Sequence, residues 1–378
     1  MVSPSSIADV CRFNTTAGGV ADWTYSSAVL GYQSPSAAKM VNGGQYSYRA
    51  ESADLSQWEI GTGIYNSATG VLTRAVVLFN SAGTTAKINF SAAPQVAIVA
   101  LGEDLIFGKN RVINGGFWIN QRGYVSGAAL AAGAYGHDRW KGGASGGDYS
   151  FAQGTAPTTV TIAAGKSLIQ VVEGVNVEGG TYTLSWSGSA VARIGVNSAT
   201  PSGNFAASPI TVTGQTAGAV MSIEFTGANA AGGTALATNT GTMGAVQLET
   251  GAKATPFEIR MYSAELQLCQ RYCFVLGTGI GANQYVNLGY CFSSTIFRTA
   301  FVFPVIMRAA PTGSYSALSD FNADNGVGGP FTVTSISFTN YVSGAQVQVN
   351  FASGLTASVA AFLQTTSANA RLRFDAEL

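Results

Sequence analysis

From Trp23 to Leu101 apolar and polar residues alternate in short runs, "QYSYRAES", "QWEIGTGIY", "VLTRAVVLF", "AKINFS" and "QVAIVAL", separated by turn signals such as "NGG" and "SATG". A period of two broken by Gly and Asn marks antiparallel strands joined by hairpins. A small β domain is therefore expected over residues 1–103. The stretch "GEDLIFGKNR", 102–111, gathers charge in a chain that has little and is the expected linker. After it, "TTVTI", "SLIQVVEG", "GGTYTLSWSG", "VARIGVN", "PITVTG", "AVMSIEFTG" and "GAVQLETG" recur at intervals of roughly 10 to 15 residues, which predicts a jelly-roll-like β-sandwich over residues 110–258. A third series, "FVLGTG", "QYVNLGYCF", "FRTAFVFPVIM", "FTVTSISFTN", "AQVQVNF" and "ARLRFDAEL", predicts a second, smaller sandwich within residues 263–378, with Pro304 and Pro311 at an edge or bend. The fold class is all-β.

One stretch breaks the pattern: "QLETGAKATPFEIRMYSAELQLCQRYC", residues 247–273. Its first residues close the middle sandwich. Pro256 then imposes extended geometry on Thr255, and a short linking helix follows. Ser263 is the expected N-cap, with Glu265 favourable in the first turn. Tyr262, Leu266, Cys269 and Cys273 fall on one helical face. A helix of about ten residues is marginal alone, so that face must pack on the flanking sandwiches or on neighbouring chains. Arg260 and Arg271 are expected to meet Glu258, Glu249 or Glu265 and fix the angle between modules. The structural joint therefore comprises Pro256, Arg260, Leu266, Cys269, Arg271 and Tyr272.

Composition adds a constraint on association. Charged residues are 10% of the chain, against ~25% in ordinary soluble domains, while 47% are hydrophobic. Apolar area left uncovered on an isolated chain is buried by association, so an obligate oligomer is expected. Nineteen basic residues balance nineteen acidic ones, which gives no long-range field to attract nucleic acid or an anionic membrane. The longest apolar runs, "VAIVAL" and "FVFPVIM", fall far short of the ~20 residues of a membrane helix. The N-terminal residues lack the blocks of a signal peptide. No membrane insertion and no Sec export are expected.

The residues that carry chemistry are sparse. Cys11, Cys269, Cys273 and Cys291 form no CxxC pair; Cys269 and Cys273, at i and i+4, have metal-ligand spacing, but buried free thiols are the expectation. His137 is the single histidine, so a catalytic triad or a multi-His metal site has one position to be built around. "HDRW" reads as structure, with Asp138 and Arg139 paired at a turn and Trp140 in the core. No segment clusters acidic residues with stacking aromatics, as the paired carboxylates of a glycosidase would require. "GTGIGA" and "GASGGDYS" precede no helical pattern and read as turns rather than phosphate loops. No catalytic residue, metal or cofactor is expected. Candidate ligand-binding residues are the aromatics and amides of the third block, Tyr285, Tyr315, Phe321, Asn322, Asp324 and Asn325. Their flat faces and hydrogen-bonding groups suit a sugar. The segment "SALSDFNADNGVGG", 316–329, is the expected exposed loop.

Three stretches carry a family resemblance. In "QWEIGTGIYNSATGVLTRAVVLFNSAGTTAKINFSAA", Trp58, Glu59, Gly61, Gly63, Tyr65, Leu72, Arg74, Lys87, Asn89, Phe90 and Ser91 match a W-E-x-G-x-G-x-Y, L-x-R, K-x-N-F-S pattern. "NRVINGGFWINQRG" followed by "HDRW" resembles N-x-x-x-N-G-D-F-x-x-W-Q-R-G and A-D-R-W, with Gly116 in place of Asp and Asn120 in place of Trp. The joint resembles Q-L-E-x-G-x-x-A-T-P-F-E-x-R-x-x-x-x-E-L-x-L-C-Q-R-Y-Y, with Cys273 at the second Tyr, and "FDAEL" resembles an A-D-A-E-L ending. Together they resemble the tail fibres of tailed bacteriophages. The resemblance implies a homotrimeric virion protein, made in the host cytoplasm. Residues 1–103 would dock onto the phage tail, an adaptor or another virion protein. A carbohydrate-module-like sandwich would follow, and then a C-terminal knob that binds a host cell-surface glycan or other receptor. Three linked copies would multiply a weak sugar affinity. A head or neck fibre or decoration protein, and a polysaccharide depolymerase, are the alternatives.

Overall fold

The computed structural model describes residues 8–101, 109–154, 157–252, 254–277, 281–326 and 331–378. Strands, 42% of the structure, form several antiparallel sheets, and among the described residues there is one short α-helix. The fold is all-β. The described residues form two compact units: residues 8–101 and 109 with 254–258, and residues 110–252 with 259–378. Pro256 stands in the first grouping, half-buried in a stretch without regular secondary structure. Most of the expected linker lies outside the described residues.

The first unit is a seven-stranded sheet whose order returns on itself through the pairing of Gln45–Glu51 with Trp58–Asn66. Its core is aromatic, with Phe13, Trp23, Tyr46, Tyr48 and Phe90 nearly inaccessible. Within it lies a fully buried ion pair between Glu59 and Arg74. The carboxylate also accepts from Tyr48 Oη at 2.7 Å and from the Ile88 N–H at 2.8 Å. The guanidinium donates to the Ile88 carbonyl at 2.9 Å and lies 4.2 Å from the centre of the Trp23 ring. Buried charges persist only when their remaining donors and acceptors are met, and here they are. Gly61 and Gly63 follow from close approach. A Cβ on Gly61 would come within 2.3 Å of the Val76 carbonyl oxygen, and one on Gly63 within 1.8 Å of that of Thr73. The W-E-x-G-x-G-x-Y run thus combines one buried charge with two positions that admit no side chain.

In the second unit, a five-stranded sheet runs in the order Ile210–Gln215, Gly180–Ser187, Gly241–Thr250, Val160–Ile162, Tyr149–Phe151. It shares a core with a four-stranded sheet ordered Val191–Gly195, Met221–Thr226, Leu168–Val172, Lys141–Gly142. Leu184, Trp186 and Leu248 from one sheet meet Leu168, Ile223 and Phe225 from the other, as in a sandwich. The remaining strands build a second sandwich. Six are ordered Phe321–Asp324, Ala360–Thr365, Tyr285–Cys291, Ile296–Val302, Gly344–Phe351, Val333–Tyr341, and three are ordered Cys273–Leu276, Leu372–Asp375, Thr312–Tyr315. Phe297, Val347, Leu363, Leu372 and Phe374 fill the space between them.

The helix, α1, runs Tyr262–Gln270. Its N-cap is Met261, which makes no side-chain capping bond, so Ser263 sits inside the first turn and does not cap. The expected face is only partly buried: Tyr262 is exposed, Leu266 half-buried and Cys269 fully buried. Cys273 is not on the helix at all, because α1 ends at Gln270 and Cys273 opens the strand Cys273–Leu276.

Replacing Arg74 with Ala leaves Glu59 charged in an apolar core, and should cost the first unit about 3–5 kcal/mol. Urea unfolding measures it; a loss below about 1 kcal/mol contradicts the role assigned to this pair.

Candidate functional site

The two sandwiches of the second unit meet in a buried polar joint. Asn114, with a left-handed backbone at φ 58°, organises the loop that leads there. Its amide nitrogen donates to the carbonyls of Ile119 and Asp138 at 2.8 and 3.0 Å, and its Oδ1 accepts from the N–H groups of Trp118 and Ile119. Asn tolerates this backbone because its short polar side chain bonds locally. Trp140 donates its indole N–H to the Asn114 carbonyl and stacks on Phe117 at 4.9 Å, so it anchors the core as expected.

Asp138 and Arg139 do not pair with each other. Asp138 meets Arg122 at 2.9 Å, and Arg122 also reaches Asp375 at 2.7 Å and Glu377 at 3.1 Å. Arg139, at φ 72°, pairs with Glu377 and lies 3.6 Å from the centre of the Tyr272 ring. The left-handed backbone at Arg139 sends these two neighbours to different partners. Arg271 likewise departs from expectation: it binds Glu173 at 3.0 Å, and Tyr272 Oη donates to the same carboxylate at 2.6 Å. It stands just beyond the last turn of α1, and so reaches the other sandwich rather than Glu258, Glu249 or Glu265. Arg260 does meet Glu265, at 3.2 Å. Glu265 also accepts from the Asn114 N–H, so its carboxylate is held by the sandwich. Ile113, Ile119, Cys269 and Tyr272 form a small core here, with Leu266 packed against it. Burial pushes the thiols of Cys269 and Cys273 well up, and all four cysteines are buried and unpaired.

The candidate ligand residues separate. Tyr285 is exposed; its hydroxyl donates to Asp324 at 2.6 Å and its ring lies 4.7 Å from that of Phe362. The bond from Tyr285 holds the Asp324 carboxyl below its usual range, aided by the Gly326 N–H. Tyr315 is on the other sheet, stacked on Phe338. Phe321, Asn322 and Asn325 are buried. The Asn322 Oδ1 accepts from the Phe331 N–H at 2.9 Å, while Phe321 faces the core. The segment expected as an open loop is instead a 3-10 turn, Leu318–Asp320, and an edge strand, Phe321–Asp324, up to Gly326; residues 327–329 of it lie outside the described residues. Alternation in "FNAD" sends Phe321 and Ala323 inward.

A concave surface lies at the joint. A cleft of about 740 Å³ is lined by Trp118, Asn120, Gln121, Gln153, Tyr262 and Gln270, with Ile119, Leu266 and Val275 beneath. A smaller one, about 250 Å³, shares Gln121 and Val275 and adds Tyr315, Arg371 and Arg373. Apart from Tyr315, Tyr262 and Leu266, none of these residues stands out in the sequence for ligand binding or for the joint. The available signal was Gly116. A Cβ there would come within 2.4 Å of Trp118 Nε1, so Gly116 and Trp118 belong together.

Two buried groups of this region titrate in opposite senses. Burial pushes the Asp138 carboxyl from 3.8 up to about 7, against Arg122 and the Gln121 N–H, which lower it. Burial lowers the His137 imidazole from 6.5 to about 4, partly offset by its bond to Gln153. Asp138 thus contributes stability that is present below about pH 4 and lost as pH rises to about 7. His137 contributes stability that is present above about pH 6.5 and lost as pH falls towards about 4. Thermal melts across this window should show Asp138→Asn gaining stability with rising pH relative to the parent profile, and His137→Gln losing it; two profiles parallel to the parent contradict both assignments. The chain matches no protein-family model and no curated protein.

Proposed function

We propose that this chain is a structural and host-recognition protein of a tailed-bacteriophage particle, a tail fibre that works as a homotrimer. Residues 1–103 dock it onto the virion, residues 110–258 form a jelly-roll module, and residues 263–378 form the knob that adsorbs to a host glycan. The observation that carries this reading is where the three resemblance-bearing stretches fall. Glu59 and Arg74 of the first form the buried pair of the first unit. Arg122, Asp138 and Arg139 of the second meet Asp375 and Glu377 of the terminal stretch in one buried network. Charged residues shared with the fibre pattern thus include several held in buried ion pairs, where removal of one partner alone is strongly destabilising.

Association is supported by the outward face of the six-stranded sheet. Leu288, Tyr290 and Phe292 are exposed there, and Val302 is 88% exposed. Apolar surface of this kind is normally covered by a partner. Recognition at the knob is supported by Tyr285, whose ring is presented beside Phe362 and fixed by Asp324.

Deleting residues 1–103 should abolish incorporation of the chain into phage particles while leaving the remainder folded. Incorporation of the truncated chain would overturn the docking role. Imaging of particles carrying labelled full-length chain should place the label at the tail, and label on the head or neck would overturn the tail assignment.

A further inference from the structure

We infer that the cleft at the joint is a binding site for a neutral, hydroxyl-rich chain, an uncharged oligosaccharide, separate from the exposed aromatics of the knob. This inference stands on the geometry of the cleft and not on the virion assignment. Its volume, about 740 Å³, lies within the ~300–1,000 Å³ usual for ligand sites and admits more than one pyranose ring. Trp118 and Tyr262 line it, supplying two aromatic surfaces for the C–H faces of sugar rings.

The polar lining is made of carboxamides: Asn120, Gln121, Gln153 and Gln270. Each offers both donors and an acceptor, the complement of a hydroxyl group. Their commitments differ. Asn120 is held by Tyr124, donating to its carbonyl at 2.9 Å and accepting from its N–H at 2.8 Å. Gln121 donates to the Cys273 carbonyl at 2.8 Å, and its Oε1 has no partner among the described residues. Gln153 makes only long bonds, 3.4 Å to His137 and 3.5 Å to Phe117. The Gln270 amide has no side-chain partner among the described residues. Two amides are thus fixed in place and two are available to turn towards a ligand.

Charge decides the class of ligand. Among the described residues, no acidic or basic side chain lines this cleft, so a carboxylate, sulfate or phosphate placed there would lose hydration without a counter-charge. The neighbouring arginines, Arg371 and Arg373, open into the smaller cleft instead. The walls are also held firmly. Gln121 is adjacent to Arg122, which is locked between Asp138, Asp375 and Glu377. A site whose walls are fixed before binding has less ordering to undergo on binding.

Calorimetric titration of the full-length chain, in the oligomer it forms, with cellohexaose, maltohexaose and isomaltohexaose tests this, with an oligogalacturonate as the charged control. Saturable binding of at least one neutral hexasaccharide is expected, and none of the oligogalacturonate. Trp118→Ala should weaken that binding about tenfold or more. Tyr262→Ala and Gln270→Ala, both at the cleft surface, should also weaken it, and serve if Trp118→Ala fails to fold. Tyr341→Ala, which removes an exposed aromatic of the knob outside this cleft, should leave it unchanged. The inference is overturned if no neutral hexasaccharide binds, as when a second copy of the chain covers the cleft. It is equally overturned if binding persists undiminished in Tyr262→Ala and Gln270→Ala, or if the charged oligomer binds as well as the neutral ones.

Discussion

Two guanidinium groups, those of Arg122 and Arg139, sit between the carboxylates of Asp138, Asp375 and Glu377 at the joint of the second unit. Most of these side chains are nearly inaccessible to solvent. Taking such charges out of water costs several kcal/mol per ion, recovered only when every donor and acceptor finds a partner. The ion pairs close at these distances in the placement the two sandwiches adopt, leaving the buried Nε of Arg139 without a partner among the described residues. The network therefore acts less as a source of net stability than as a specification of geometry. The angle between the sandwiches, the seat of α1 and the walls of the cleft follow from it.

The local backbone serves that geometry. Asn114, Phe117 and Arg139 all adopt left-handed conformations, at φ 58°, 52° and 72°, and a non-glycine residue held there costs on the order of 1–3 kcal/mol. At Asn114 four hydrogen bonds through its amide offset the cost, and at Arg139 the bond to Glu377 and the Tyr272 ring do so. The result is a loop that presents Trp118, Asn120 and Gln121 on one side and Arg122 on the other. The first unit uses the same device on a smaller scale, with one buried pair, Glu59 and Arg74, surrounded by aromatic rings.

The strands were legible because alternation is a property of neighbouring residues, as in "VTI" at Val160–Ile162, where Val160 and Ile162 are buried and Thr161 is not. The short helix was legible for the same reason, but its start was not. Ser263 has the chemistry of a cap, yet the chain turns at Met261, and Glu265 is drawn across to Asn114 and Arg260. Partners distant in sequence left no local trace: Arg271 finds Glu173, and Arg122 finds Glu377. Phe321 has the sequence surroundings of a solvent-facing residue, because aromatics and amides in a Gly-rich neighbourhood resemble a loop, yet it is buried. The inward alternation of Phe321 and Ala323 was nevertheless written there. The cleft was invisible because residues 118–121, 153–154 and 262–275 come together only through the joint.

If the buried network sets the geometry of the second unit, its two sandwiches must open together. Native-state hydrogen exchange of the full chain tests this through the most protected amides of the strands Met221–Thr226 and Gly344–Phe351. In the parent protein both sets should exchange through one global opening with the same denaturant dependence. In Glu377→Ala, which leaves Arg139 and Arg122 short of an anion, the strand Gly344–Phe351 should exchange through a separate, lower-energy opening. Independent openings of the two strands in the parent protein would contradict the account.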